Sequence, residues 1–354
     1  MKILIVGAGL TGATIARCLA EQGHDITVID KRKHIGGNCY DEVRNGTLVH
    51  KYGPHLLHHS DLGVHNFLSR WTSWIPYEHK VKVEYRDTLI SFPVNLKTLQ
   101  ELYGIETEQE AIKYFEKVRD TKSPTNCDEL SDHSVGKDLA DIFFRPYTKK
   151  MWGTDPKNIE CAVGARIPVR TSDDDRYFSD KYQYMPEGGY TKMFERMLDH
   201  GRIEVKIRTP FEKEMEAHYD FIFNSMPIDA YYDFKFGKLP YRSLRMEVKE
   251  EKHDHGITTV NNSASEEGHT RYTVWKNIPG HGDGDMVTYE YPCDYDGTNE
   301  PYYPVTHGKE LYAKYAEHAK SDKMMFIGRM GAYQYIDMWK AVRNGLDIVS
   351  DFKA

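Results

Sequence analysis

Apolar and polar positions follow several distinct rhythms along this chain. Residues 2–6, Lys-Ile-Leu-Ile-Val, form a short, nearly continuous apolar run that leads straight into glycines. A run of that length, closed by a turn, predicts a buried strand over Lys2–Val6 and a glycine turn over Gly7–Gly12. Ile15, Leu19 and Ala20 then recur at helical spacing, so Ala13–Glu21 is predicted to be a helix. A second apolar run, ITVID, predicts a strand over Asp25–Asp30. The chain therefore opens as a β-α-β unit.

The rhythm changes from about residue 97 to 151. The segments AIKYFEKV and DLADIFFRPYTKKMW have helical spacing and few β-branched runs, which predicts a helical insertion. From about 166 to 303 the chain is richer in Tyr, Val, Thr and Arg. SLRMEVKEE, GITTVNN and DMVTYEYP predict antiparallel strands. The tail KMMFIGRMGAYQYIDMWKAVRNGLDIVSDF reads as strand, glycine turn and helix, returning to the first unit. No internal repeat or low-complexity tract interrupts this order.

Composition narrows the class. A chain of 354 residues is long for one core and predicts roughly two or three packed units. The apolar start is far short of the about 20 residues that span a bilayer, and it lacks a signal-peptide pattern. A soluble, cytoplasmic protein is the expectation. The net charge of −7 argues against a general nucleic-acid partner. Cys18, Cys39, Cys127, Cys161 and Cys293 are odd in number and form no CxxC pair, so free thiols are expected. His55, His58 and His59 have no HExxH helix or Cys/His pattern around them, and no metal site is expected.

Gly7-Ala8-Gly9-Leu10-Thr11-Gly12 fits G-x-G-x-x-G in its informative context, after a strand and opening a helix. Gly7 permits the tight turn, Gly9 lets a pyrophosphate approach the backbone, and Gly12 lets helix and sheet pack closely. The helix N-terminus offers N–H groups and partial positive charge to phosphates. Asp30 ends the second strand at the spacing of an acid that bonds an adenosine ribose. The fingerprint alone leaves NAD and FAD both open. The basic stretch from Lys31 to Lys33, the Gly36-Gly37-Asn38 turn behind it and the late Gly328-Arg329-Met330-Gly331 segment favour FAD. Lys33 itself reads as a solvated surface charge.

A series of motifs then resembles one family, the UDP-galactopyranose mutases, in order and over nearly the whole length. They are GAGLTGA, HIGGN, KYGPHLLHH, FPVNL, FFRPYTKKMWG, RIPVR with the following YFSDKYQ, PEGGYTKMF, NNSASEEGHTR, YEYPCDYDGTNEPYYPV and GRMGAYQYIDM. The glycine fingerprint is common to many flavoproteins. KYGPH, YTKKMWG, RIPVR and GRMGAYQYIDM are far more specific. The resemblance implies an α/β fold with three parts. These are a discontinuous Rossmann-like FAD-binding domain (1–75, 186–230 and 318–354), a helical domain (96–160) and an antiparallel sheet substrate domain (76–95, 161–185 and 231–317). It also implies a monomer or a homodimer, since the helical region through which bacterial members dimerise looks short here.

The resemblance assigns residues as follows. Arg170 and Arg271 are the arginines that clamp the diphosphate, Arg271 on a mobile loop, and His55 lies beside the isoalloxazine. An arginine fits that task because its planar fork stays charged. Tyr147 stacks on uracil, with Phe143, Phe144, Thr148 and Trp152 on the same stretch. Asn95, Asn261, Tyr182, Tyr303, Tyr335 and Asp337 complete the substrate side. Gly7, Gly9, Leu10, Thr11, Gly12, Asp30, Lys31, Gly37, Asn38, His55, His58, Arg329, Asp337 and Met338 form the cofactor side. A core stripe is an equal reading for Phe143 and Phe144. Tyr182 rests on an alignment that slips easily.

The chain departs from the family pattern at Leu57, His59, Pro146, Met151 and Val274-Trp275-Lys276. The implied reaction interconverts UDP-galactopyranose and UDP-galactofuranose without net redox, by attack of reduced FAD N5 on the anomeric carbon. It needs no protein nucleophile, and no Ser-His-Asp or Cys-His motif is recognisable. The flavin would require an external reductant such as NAD(P)H or a reductase. Three other readings stay open: a mutase of another UDP-hexose such as UDP-N-acetylgalactosamine, an amine-oxidase-like flavin oxidoreductase, and a catalytically idle nucleotide-sugar binding protein.

Overall fold

The computed structural model describes residues 1–263, 268–320 and 323–353. The opening run forms the strand Lys2–Val6 at the centre of a five-stranded parallel sheet. Asp25–Asp30 and then Ile203–Ile207 lie on one side of it, Phe221–Asn224 and Met324–Phe326 on the other. Ile3, Leu4 and Ile5 are fully buried because helices or loops cover both faces, as a parallel sheet requires. The helix Leu10–Glu21 packs on one face and against the C-terminal helix Met338–Asp351. Gly345 allows the close approach, since a Cβ there would stand 2.9 Å from Thr14 Cβ.

The second large sheet has seven strands, in the order Tyr303–Pro304, Tyr241–Glu250, Met286–Asp294, Arg271–Val274, Thr259–Asn262, Val81–Tyr85 and Thr88–Phe92. The sequence patterns predict an antiparallel sheet, and one pairing departs from that: Thr259–Asn262 runs parallel to Val81–Tyr85. That junction joins two segments far apart in the chain, so no hairpin constrains its direction.

The helical segment begins at Leu96–Tyr103 and continues through Glu108–Val118, Cys127–Val135 and Arg145–Trp152. It docks on the edge of the seven-stranded sheet. Val81, Val83, Ile90 and Phe92 share one core with Leu99, Phe115, Leu139 and Phe143. A turn of π-helix over Ala140–Phe144 precedes Arg145–Trp152. Among the described residues no helix is long and apolar enough to cross a membrane.

Candidate active site

The Gly7–Gly12 turn sits where the first parallel strand ends. Gly7 has φ +104°, and a Cβ there would meet Ser225 Oγ at 1.9 Å. A Cβ on Gly12 would stand 2.1 Å from the Gly7 carbonyl oxygen, so helix and strand touch at that point. Gly9 differs. Its Cβ would meet nothing closer than Gly37 Cα at 3.8 Å, so the protein leaves open the space above it. Gly9 is the N-cap of Leu10–Glu21 and offers no side-chain cap. The first-turn N–H groups therefore lack a partner within the helix. An open backbone, an uncapped helix N-terminus and a facing Gly36-Gly37 turn are what a dinucleotide pyrophosphate needs, and the residues present fit one.

The neighbours of this groove are already partly engaged. Asp30 accepts N–H bonds from Ala8 at 3.0 Å and Arg32 at 2.9 Å, so it fastens the turn as well as facing the groove. Asn38 Oδ1 accepts from Arg32, whose guanidinium also pairs with Glu300. The Thr11 hydroxyl donates to Ala341 O at 3.0 Å, so its proton is engaged within the protein. Lys31 is exposed. Asp337 is the N-cap of Met338–Asp351, but its carboxylate makes no cap bond. Replacing Gly9 with Val is expected to leave the apoprotein folded while releasing the cofactor, because the added atoms meet the ligand and not the protein. Gly12→Val is expected to lower stability as well. Thermal melting and flavin absorbance, measured side by side on both variants, check this.

Beyond the groove lies a cleft rich in arginine and tyrosine. Tyr335 is at its centre and remains 43% exposed, so the cleft opens to solvent. The Arg166 guanidinium lies 5.0 Å from the Tyr335 ring centre, and that of Arg329 5.6 Å. Burial pushes the Tyr335 hydroxyl up, but Arg166, Arg329 and Arg271 outweigh it, and the net direction is down. The local field is thus positive. Trp152 packs edge-on to Tyr303 at 5.1 Å and Tyr335 at 6.4 Å. The Tyr303 hydroxyl donates to Met151 O at 2.8 Å. Tyr147 and Tyr177 complete the wall, and both interact electrostatically with Arg166 and Arg271. Burial pushes the Tyr147 hydroxyl up to about 12.

Arg271 begins the strand Arg271–Val274, and its Nε donates to Glu290 at 2.6 Å. Residues 264–267 of the loop expected to be mobile lie outside the described residues. The Gly53-Pro54-His55 loop touches the same carboxylate, since a Cβ on Gly53 would stand 3.3 Å from Glu290 Oε1. His55 is buried, and its Nδ1 pairs with Gly53 O at 2.9 Å. Burial pushes its imidazole down to about 4, so it is neutral at pH 7. His58 Nδ1 bonds Asp180 at 2.8 Å, and its ring stacks on Phe178 at 3.5 Å. Asn261 is buried and pairs with Arg271 across the sheet.

Several of the expected site residues are engaged within the protein. The Arg170 guanidinium donates to Arg176 O at 2.7 Å and Ser179 Oγ at 2.7 Å, holding the 170s loop. Arg166, the first arginine of RIPVR, stands against the Tyr335 ring. Asn95 spends its side chain on structure. Its Oδ1 accepts from Lys97 and Thr98 N–H as a helix cap, and its Nδ2 donates to Pro93 O. Tyr182 lies on the strand Tyr182–Pro186 and stacks on His65 at 4.4 Å. Phe143 is a core residue, 3% exposed, and Phe144 packs against the same cluster. Thr148 hydrogen-bonds Cys127, on the helical side.

Arg166, Tyr177 and Arg242 are missed by sequence reasoning. Arg242 pairs with Asp294 and reaches Met151 O. The first two lie in RIPVR and YFSDKYQ, beside Arg170 and Tyr182. Of the departures, Leu57, His59 and Trp275 are buried, and Trp275 Nε1 donates to Thr288 Oγ1 at 2.8 Å. Leu57 and Trp275 belong to the core beneath the first sheet.

A Rossmann-like dinucleotide groove opening into an arginine-rich cleft on a second sheet defines a nucleotide-binding two-sheet enzyme of flavoprotein architecture. The comparisons with known proteins are specific. The family model of UDP-galactopyranose mutase matches residues 142–335, and that of the NAD(P)-binding Rossmann-like domain matches 5–71. The chain is 35% identical to a "Probable UDP-galactopyranose mutase" of Klebsiella pneumoniae, over 99% of this chain and 94% of the relative. It is 36% identical to a dTDP-fucopyranose mutase of Escherichia coli, over 98% of this chain and 97% of that one. A crystal structure of reduced UDP-galactopyranose mutase shares the fold, with a TM-score of 0.76 at 17% identity, covering 99% of this chain and 93% of that one. The chain belongs to the UDP-galactopyranose mutase family, a family of flavoprotein isomerases.

Proposed function

We propose that this protein interconverts the pyranose and furanose forms of UDP-galactose with bound, reduced FAD. The observation that supports this best is the placing of the Arg166 and Arg329 guanidiniums 5.0 and 5.6 Å from the Tyr335 ring, with Arg271 acting on the same hydroxyl, so that the three set up a positive field. A nucleotide-sugar diphosphate carries two negative charges and suits that field. Arg166 and Arg271 grip the diphosphate, and Tyr147 offers its ring to the base. Tyr303, Tyr335 and Trp152 line the sugar path. Gly7, Gly9, Leu10, Thr11, Gly12, Asp30, Gly37, Asn38, Arg329 and Met338 would hold the FAD, with His55 among the residues that would meet it.

When bound and reduced, FAD supplies the nucleophile toward the anomeric carbon. The chain's own task is to hold the sugar against it, to stabilise the departing nucleoside diphosphate with its arginines, and to return that group after the ring recloses. Neutral His55 places no positive charge beside an electron-rich ring.

The E. coli relative favours a second reading, a dTDP-6-deoxyhexose, since it is as similar as the first. Dithionite-reduced protein is incubated anaerobically with UDP-galactofuranose or dTDP-fucofuranose, and the products are separated by chromatography. Conversion of UDP-galactofuranose by reduced but not oxidised protein is expected. Conversion of the dTDP-sugar alone selects the second reading. Equal turnover by oxidised protein, or no conversion of either, overturns the proposal.

A further inference from the structure

The helix Arg145–Trp152, which carries Tyr147, has one buried residue, and it is a lysine. Lys150 is 8% exposed. Burying an ammonium costs free energy unless its donors are used. Among the described residues no carboxylate acts on it, and burial pushes its amine down to about 8. What it holds instead is backbone: Nζ donates to Asn262 O at 2.9 Å and to His269 O at 3.1 Å.

Those two carbonyls have a particular place. Asn262 ends the strand Thr259–Asn262, and His269 lies just before the strand Arg271–Val274. The two strands pair, with Asn261 opposite Arg271 and the Asn262 N–H donating to Thr270 O at 2.8 Å. One ammonium thus spans the ends of both strands, next to Arg271. On the helix, Tyr147 and Lys150 are three residues apart and share a face. The next carbonyl, Met151 O, receives the Tyr303 hydroxyl, so the same turn is fixed from the opposite side too.

We propose that Lys150 is a positioning residue that sets the separation between Tyr147 and Arg271, and so between the base and diphosphate subsites of a nucleotide ligand. This rests on the nucleotide-sugar reading above. Tyr147 and Arg271 belong to different elements, a helix of the helical segment and a strand of the seven-stranded sheet. A ligand whose two ends touch both must strain or lose a contact when their spacing changes; a ligand that touches one does not.

The test measures equilibrium binding of UDP, dTDP, uridine and inorganic pyrophosphate to oxidised holoenzyme by calorimetry, for wild type, Lys150→Met and Lys150→Arg. Lys150→Met removes the donors at similar length. It is expected to weaken UDP or dTDP about tenfold or more, with uridine and pyrophosphate changed less than about threefold and flavin retained. Lys150→Arg keeps charge and donors on a longer, planar arm. It is expected to recover part of the loss, and it carries the same comparison if Lys150→Met does not retain flavin. Unchanged diphosphate binding in the variants overturns the inference. So does an equal loss for the nucleotide and its fragments, which is the pattern of a general packing defect. Failure of wild type to bind either nucleoside diphosphate overturns the nucleotide-sugar reading itself, and is distinguished by appearing before any substitution is made.

Discussion

An alanine at Arg166 is expected to lower turnover on the order of a hundredfold or more while flavin stays bound; an alanine at Arg170 is expected to leave turnover near wild type and lower the melting temperature. The two arginines lie in one five-residue motif, RIPVR, yet their surroundings differ. Arg166 sits against Tyr335 and acts electrostatically with Tyr177 and Asp337. It is exposed and hydrogen-bonds the Tyr335 hydroxyl. Arg170 has its donors on Asp174 O, Arg176 O and Ser179 Oγ. Removing a preorganised donor to a developing negative charge costs roughly 3 kcal/mol of transition-state stabilisation, which corresponds to the stated factor. Arg166→Lys should restore only part, since it keeps the charge but not the planar fork. Turnover, flavin absorbance and melting of both alanine variants decide the matter. A large loss of turnover at Arg170 with wild-type activity at Arg166 reverses the assignment.

That contrast marks how far the residues alone could be read. The β-α-β opening was legible because a buried strand, a glycine turn and a helical stripe each leave a local pattern, and Lys2–Val6 and Asp25–Asp30 appear at the predicted bounds. The helical segment and the strands of the second sheet were legible for the same reason. The direction of Thr259–Asn262 beside Val81–Tyr85 was not, because strand pairing between distant segments has no local signature.

Within the site, motifs located the neighbourhood but not the side chain. Arg166 and Arg170 are like residues a few positions apart in an irregular segment, where no helical or strand period fixes which one turns inward. Asn95 illustrates another limit. An asparagine before LKTL is a helix cap by local chemistry, and that use claims the atoms a ligand would need. Lys150 is legible only in three dimensions, since a Lys-Lys pair in a helix reads as solvated surface until one of the two is found buried.

Arg271→Ala is expected to lower turnover on the order of a hundredfold and, unlike Arg166→Ala, to destabilise the fold. The reason is Glu290. Its side chain is 1% exposed and accepts from Arg271 Nε at 2.6 Å. Without the guanidinium a buried carboxylate loses its cation, and such a loss typically costs several kcal/mol, about 3–5 in comparable cases. Lost activity in Arg271→Ala therefore mixes two effects, and a second substitution separates them. Arg271→Ala combined with Glu290→Gln removes the stranded charge, so stability should largely return. Turnover should not, if the guanidinium grips the departing diphosphate. Because Arg166 would grip the same group, the two arginine effects need not add. Anaerobic turnover of the reduced protein, flavin occupancy and melting temperature are measured for the single and double variants together. Recovery of turnover along with stability in the double variant would show that Arg271 serves to neutralise Glu290, and would remove it from the chemistry.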